Sequence, residues 1–202
     1  MKSLPDGPQP SIGLRERKKA KTRAAIREHA MRLFHEQGYA DTTVDQIAEA
    51  AEVSPSTFFR YFPTKEDVVL ADDYDGLIVE AFRAQPAELT PIQAIRAAMH
   101  AIFDDLPPDA MRRERDRMQL VKEVPELRAA AMDDYMESMT MLAEIMAERL
   151  GRRPDDFPVR VFAGALVGVA LATMQATIDH PLDNFTELLD RGFQLLEAGL
   201  PL

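Results

Sequence analysis

Side chains able to form directional hydrogen bonds with a polyanion gather in one short stretch, Ser54–Phe62, which reads SPSTFFRYF. Arg60 offers a planar fork of donors that matches the O6/N7 edge of guanine, and Ser56 and Thr57 add hydroxyls that suit bases or phosphates. Upstream, Leu14–Arg27 carries Arg15, Arg17, Lys18, Lys19, Lys21, Arg23 and Arg27 against Glu16 alone. Such a run abutting a compact hydrogen-bonding surface suits phosphate contact. Groups that could do covalent chemistry are scattered instead. The serines are Ser3, Ser11, Ser54, Ser56 and Ser138, with no strand-turn-helix nucleophile elbow. His29, His35, His100 and His180 lack zinc-ligand spacing, and there is no glycine-rich phosphate loop and no cysteine. The residues point to binding rather than catalysis, with no metal and no cofactor expected; a helical acyl-thioester enzyme is the rival class.

The elements that must position the Ser54–Phe62 stretch are readable from spacing. Val44, Ile47, Ala48 and Ala51 recur on one helical face, and Thr43 with Gln46 makes a capping box. After Glu52-Val53, Ser54 caps a second short helix with Pro55 at its first position. Phe58 and Phe62, four apart, share its inner face, leaving Ser56, Thr57, Phe59, Arg60 and Tyr61 on the others. Pro63 ends it, and Thr64 with Asp67 caps the next helix. This is the form of a helix-turn-helix whose second helix enters the major groove, although two packed helices in an all-α protein would share the pattern. Ahead of it, the basic run leads into a helix ending near Gln37, with Ile26, Ala30, Leu33 and Phe34 as its buried stripe and Gly38 as its cap.

The segment from about Lys18 to Leu70, centred on LFHEQGYADTTVDQIAEAAEVSPSTFFRYFPTKEDVVL, resembles the N-terminal domain of TetR-like one-component repressors. The resemblance implies an all-α homodimer with a helix-turn-helix head and a divergent helical bundle for ligand binding and dimerisation. Carried over position by position, it implies that Pro55, Ser56, Thr57, Phe59, Arg60 and Tyr61 line the groove. Thr43, Lys65 and the basic residues Arg17, Lys18, Lys19 and Lys21 would hold phosphates. Two positions depart from the family pattern. Glu52 stands where the family usually has glycine, so a left-handed turn would carry a side chain. Phe59 stands where it often has tyrosine, so one hydroxyl contact is missing.

The chain then reads as an arm (1–13), a DNA-binding domain (14–67) and a ligand-binding and dimerisation domain (68–202). The net charge of −10 divides unevenly. Residues 1–67 hold 11 Lys and Arg against 10 Asp and Glu, whereas residues 68–202 hold 13 against 24. Because charges are screened beyond about 10 Å at ordinary salt, an acidic body does not prevent a basic head from meeting DNA. The arm holds three of the 14 prolines and little apolar bulk, so disorder is expected there. One long helix is expected over 64–84, bending near Gly76, with Asp72, Asp73 and Asp75 as a solvated acidic face. Proline punctuation places further helices at about 91–106, 108–122, 125–150, 156–179 and 183–198.

In the 125–150 segment, Ala131, Tyr135, Met139, Leu142, Met146 and Leu150 make one apolar stripe with Arg128 near its start. Core packing explains such a stripe, but flexible methionines also mould around apolar guests. The candidate ligand-binding residues are Met99, Phe103, Met118, Arg128, Met132, Tyr135, Met139 and Met146. More weakly, Pro91–Leu150, with RRERDRMQLVKEVPELRAA, resembles the family branch with an acyl-CoA-like ligand domain. That resemblance implies an acyl chain among the methionines and phosphates at Arg128 or at Arg112, Arg113, Arg115 and Arg117.

Val161–Ile178 runs 18 residues without a charge, near membrane-spanning length. Its many small residues, with Thr173, Gln175 and Thr177, favour burial or a dimer interface over insertion. Gly164 and Gly168 would let two helices approach closely. The candidate dimerisation residues are Phe162, Gly164, Ala165, Gly168, Phe185, Leu188, Leu189 and Leu196. The expected partners are thus a double-stranded DNA operator, a small-molecule effector such as an acyl-CoA, and a second copy of the chain, with no membrane. No basic-then-apolar secretory signal is seen and cysteine is absent, which suits the cytoplasm. Activation would use the same parts as repression.

Overall fold

The computed structural model describes residues 14–71, 74–180 and 184–201, and every regular element among them is an α-helix. The chain divides into two compact units, Met1–Val69 and Leu70–Leu202.

The first unit is built from α1 (Leu14–Gln37), α2 (Val44–Ala50), α3 (Pro55–Tyr61) and α4 (Lys65–Leu70). Gly38 ends α1 at φ +89°, and its N–H donates to the Phe34 carbonyl at 3.0 Å. Thr43 Oγ1 accepts from the Gln46 N–H while Gln46 Oε1 accepts from the Thr43 N–H, closing the capping box of α2. Ser54 Oγ accepts from the Thr57 N–H at 3.1 Å to start α3. Thr64 and Asp67 exchange the same pair of bonds at the start of α4. Each such cap is worth about 1 kcal/mol, which matters for helices of six or seven residues. Ile26, Ala30, Phe34, Ile47, Ala48, Phe58, Phe62, Val68 and Val69 are buried. Leu33, expected in the buried stripe of α1, is only half-buried.

The second unit comprises α5 (Asp75–Arg83), α6 (Pro91–Phe103), α7 (Pro108–Glu123), α8 (Pro125–Leu150), α9 (Phe157–Asp179) and α10 (Phe185–Glu197). Proline stands in the first turn of α6, α7, α8 and α9, where a missing N–H costs nothing. Gly151, at φ +61°, stops α8. The core joins Phe82, Ile95, Ala98, Ile145, Met146, Ala163, Leu166, Leu189 and Phe193. At Gly192 a Cβ would lie 2.6 Å from Val169 Cγ1, so α10 approaches α9 closely at a residue that has none.

The single helix expected over 64–84 is two. α4 stops at Leu70, Ala71 is not helical, and α5 begins at Asp75 with Gly76 in its first turn. Three aspartates and a glycine within five residues combine low helix propensity with like-charge repulsion, and that cost outweighs continuity. The arm Met1–Gly13, with Asp72, Asp73 and Asp183, lies outside the described residues.

Candidate functional site

Phe58 on α3 and Phe62 just past its end are fully buried and fix the helix against the first unit's core. The opposite side is open: Pro55, Ser56, Phe59 and Arg60 are exposed, and Thr57 and Tyr61 are half-buried. Phe59 is 50% exposed, its ring edge-on to Phe58 at 5.4 Å, a large apolar group left in solvent. The Arg60 guanidinium carbon lies 5.3 Å from the Tyr61 ring centre, an arrangement that orients the fork without consuming its donors. Ser54 Oγ sits 2.9 Å from both Ser56 Oγ and Thr57 Oγ1, a hydroxyl cluster at the start of the helix. Thr43 is exposed, its hydroxyl engaged in the cap of α2.

The basic residues of the first unit split into two groups. Arg17, Lys18, Lys19 and Lys21 are exposed along α1. Arg23 and Arg27 instead lie over the Phe62 ring, at 4.6 and 5.9 Å from its centre. Lys65, expected on a phosphate, is turned to internal use. Its Nζ donates to the Tyr39 and Thr42 carbonyls at 2.9 and 3.1 Å and lies 4.0 Å from the Tyr39 ring centre. Tyr39 in turn donates to Glu66; burial pushes that carboxyl up, but its local backbone hydrogen bond, those of Tyr39 and Thr64 and the Lys65 charge together hold it below its ordinary value.

Within the second unit a cavity of about 210 Å³ opens between α5, α6, α7, α8, α9 and α10. Met99, Phe103, Met118 and Tyr135, named from the sequence as ligand-binding candidates, line it with Met111, Met141 and Met174. Burial pushes the Tyr135 phenol up, so it is a neutral hydrogen-bond donor at pH 7. The other candidates lie elsewhere. Met132 is exposed on the outer side of α8, Met146 is sealed in the core, and Met139 packs against Gly164 with its sulfur 3.5 Å from where a Cβ would be. Arg128 folds back onto the Lys122 carbonyl at the start of α8. The cavity face of α8 is Tyr135, Ser138, Met141 and Leu142, and counting from Tyr135 at three and seven would have found it. Arg115 and Arg117 reach the cavity wall; Arg112, paired with Asp109, does not line it, and neither does Arg113.

An exposed, capped recognition helix in one unit and a methionine-lined chamber in the other are matched by two family descriptions. Residues 26–71 match the N-terminal domain of the bacterial regulatory proteins of the tetR family, and residues 89–201 match the MftR C-terminal domain. The chain belongs to the TetR family. It is therefore a ligand-responsive, dimeric, DNA-binding transcriptional regulator and not an enzyme. TcmR of Streptomyces glaucescens is 38% identical over 162 residues, spanning 77% of this chain and 70% of TcmR. MftR of Mycobacterium tuberculosis is 30% identical over 190 residues, spanning 91% and 93%. Among solved structures, Thermus thermophilus FadR, a TetR-family repressor in complex with lauroyl-CoA, is 27% identical. It aligns with a TM-score of 0.56 over 89% of this chain and 95% of FadR. A SmeT–triclosan complex, at 20% identity and a TM-score of 0.62, shares the fold.

For a dimeric TetR-family regulator, the residues offered to a second copy are those left outside. An 18-residue stretch of α9 has a mean hydropathy of 1.8, long and apolar enough to cross a membrane, yet only 22% of it is buried within the chain. Gly168 is exposed with open space around it, Phe162, Gly164, Ala165 and Leu188 are half-buried, and Val161 is 53% exposed. Phe185 and Leu189, proposed from sequence for the interface, line the cavity, Leu189 at 2% exposure. Leu196 packs against the same core. The strong apolar periodicity of α10 serves the chain's own core first.

Proposed function

We propose that this TetR-family regulator is a cytoplasmic repressor. Two copies joined through α9 and α10 would place their 14–67 heads on a roughly palindromic operator. The 68–202 bodies would take up a small apolar or acyl-CoA-like effector that releases the DNA. Two α3 helices about 34 Å apart, one turn of the duplex, read two half-sites where one head of some 50 residues makes too few base contacts. Arg60 reads a base, most naturally guanine, with Ser56 and Thr57 beside it and Pro55, Phe59 and Tyr61 completing the groove surface. Arg17, Lys18, Lys19, Lys21 and Thr43 meet phosphates.

The observation that carries this reading is the outward Arg60, without a hydrogen bond among the described residues, on a helix pinned from behind by Phe58 and Phe62. The lauroyl-CoA named for the FadR structure supports an acyl-chain effector, and the methionine-lined cavity supports an apolar one. An effector acts only by binding the DNA-competent and DNA-incompetent states unequally. Genomic fragments selected on the purified dimer give the operator, and long-chain acyl-CoA is then titrated by calorimetry and in an operator-release assay. No retained fragment would overturn the DNA reading, and neither heat nor release at micromolar levels would discard the acyl-CoA.

A further inference from the structure

We propose that the chamber of the second unit selects an apolar carboxylic acid in its ionised form, the carboxylate pairing with Arg115. This rests on the reading of the body as an effector domain and narrows its ligand class. Two cations reach the chamber wall, Arg115 and Arg117. Arg117 is spoken for: its Nε donates to Glu114 Oε2 at 2.9 Å, and the two side chains are 14% and 19% exposed. Arg115 is different. It is half-buried, its Nε is closed off from solvent, and no acceptor meets that nitrogen among the described residues. The other wall carboxylate, Asp75, has an interaction of its own.

A buried donor of a charged group without an acceptor carries its full desolvation cost, and native interiors rarely leave one. An anionic ligand in the chamber offsets that cost by supplying the counter-charge that this cation lacks among the described residues. The two terminal nitrogens of the planar guanidinium match the two oxygens of a carboxylate, and Nε, sealed where it stands, is not needed for that pair. Around it the wall is apolar, with Met99, Phe103, Met118, Leu171 and Met174 suited to an alkyl chain or ring. At about 210 Å³ the chamber is below the roughly 300–1,000 Å³ of pockets that enclose drug-sized ligands, so the acid is compact. An ester or thioester carbonyl carries no charge and leaves Arg115 as it is.

The test compares decanoate, methyl decanoate and decanoyl-CoA on the full-length dimer, by calorimetry and by release of a fluorescent operator. The unmodified protein is expected to bind decanoate at least tenfold more tightly than the methyl ester. Arg115→Met is expected to lose at least tenfold for decanoate, keep its affinity for the ester within twofold, and melt no lower than the parent when unliganded. Ester binding equal to acid binding in the unmodified protein overturns the proposal without recourse to any variant, as does undiminished decanoate binding by Arg115→Met. Release by decanoyl-CoA with no binding of decanoate overturns it while leaving the effector-domain reading intact. No binding or release by any of the three overturns it and counts against an acyl-chain effector as well.

Discussion

Arg23 Nη1 on α1 donates to the carbonyl of Tyr61 at the end of α3, 3.2 Å away. The last carbonyls of a helix have no partner within it, and the negative end of the helix dipole favours a cation there. With its guanidinium also 4.6 Å from the Phe62 ring centre, Arg23 ties the exit of the recognition helix to α1. Arg23→Met is expected to cost the first unit about 1–2 kcal/mol, within the range for a hydrogen bond to a charged group. Operator affinity should fall by a similar factor on every operator variant, because the residue orients the helix and reads no base. Chemical denaturation and binding to a panel of altered operators check both halves.

Arg60 should behave in the opposite way. Arg60→Ala removes a guanidinium with no hydrogen bond among the described residues, so stability should move by less than about 0.5 kcal/mol, as for surface positions generally. Affinity for the true operator should drop by about 1–3 kcal/mol, with preference relaxed at one base pair of each half-site. Equal loss at every base position would remove Arg60 from base reading.

Lys65 and Lys18 separate a strut from a phosphate contact. Two of the three Lys65 donors are bound to the Tyr39 and Thr42 carbonyls, whereas Lys18 is exposed. Lys65→Met is expected to destabilise the first unit by about 1–2 kcal/mol and leave the salt dependence of operator binding unchanged. Lys18→Ala should leave stability alone and reduce the slope of log K against log salt by about one. Binding measured at four or five salt concentrations distinguishes them.

Local signals carried most of the fold. Thr43 with Gln46, Ser54 with Pro55, and Thr64 with Asp67 are short-range features whose hydrogen bonds depend on neighbours three residues away, so sequence places them correctly. What needs long-range packing was less legible. The spacing of Gly164 and Gly168 pointed to a close approach between two copies, whereas the close approach at Gly192, where α10 meets Val169 of α9, had no such spacing to announce it. The Tyr135–Met139–Met146 stripe mixed two faces of α8, because a 26-residue helix covered on several sides has apolar residues in more than one direction. Lys65 shows the same limit: only the folded turn at Tyr39–Thr42 brings carbonyls to its ammonium.

Asp190 on α10 gives the second unit a pH dependence. Its carboxyl is held below its ordinary value of 3.8, chiefly by the hydrogen bond from Arg96 of α6 at 2.7 Å, with His100 and Gln194 adding to it. A depressed folded value means that folding favours the ionised form. The contribution is complete above the unfolded value, near pH 4, and is lost as pH falls through the lower folded one. With side chains 23% and 19% exposed, the pair is partly screened, and Asp190→Asn is expected to cost about 1–3 kcal/mol at pH 7. Urea unfolding of both proteins at pH 7 and pH 3 should show the gap narrowing at the lower pH.

Glu52 occupies the turn between α2 and α3 at φ +54°, a left-handed conformation in which an L side chain crowds its own backbone. The N–H of Glu52 bonds to the Glu49 carbonyl at 3.1 Å and that of Val53 to Ala48 at 2.9 Å, so the turn is fixed by hydrogen bonds on both sides. The strain is worth roughly 1–2 kcal/mol, and glycine relieves it while adding about 0.4–1 kcal/mol of unfolded-chain entropy. Glu52→Gly should therefore raise stability by no more than about 1 kcal/mol, and Glu52→Val, branched at Cβ, should lower it by about 1–2 kcal/mol. Denaturation midpoints for the glycine, asparagine and valine variants are expected to fall in that order. If valine matched glycine, the turn would not be holding residue 52 in the left-handed region, and the angle between α2 and the recognition helix would need another cause.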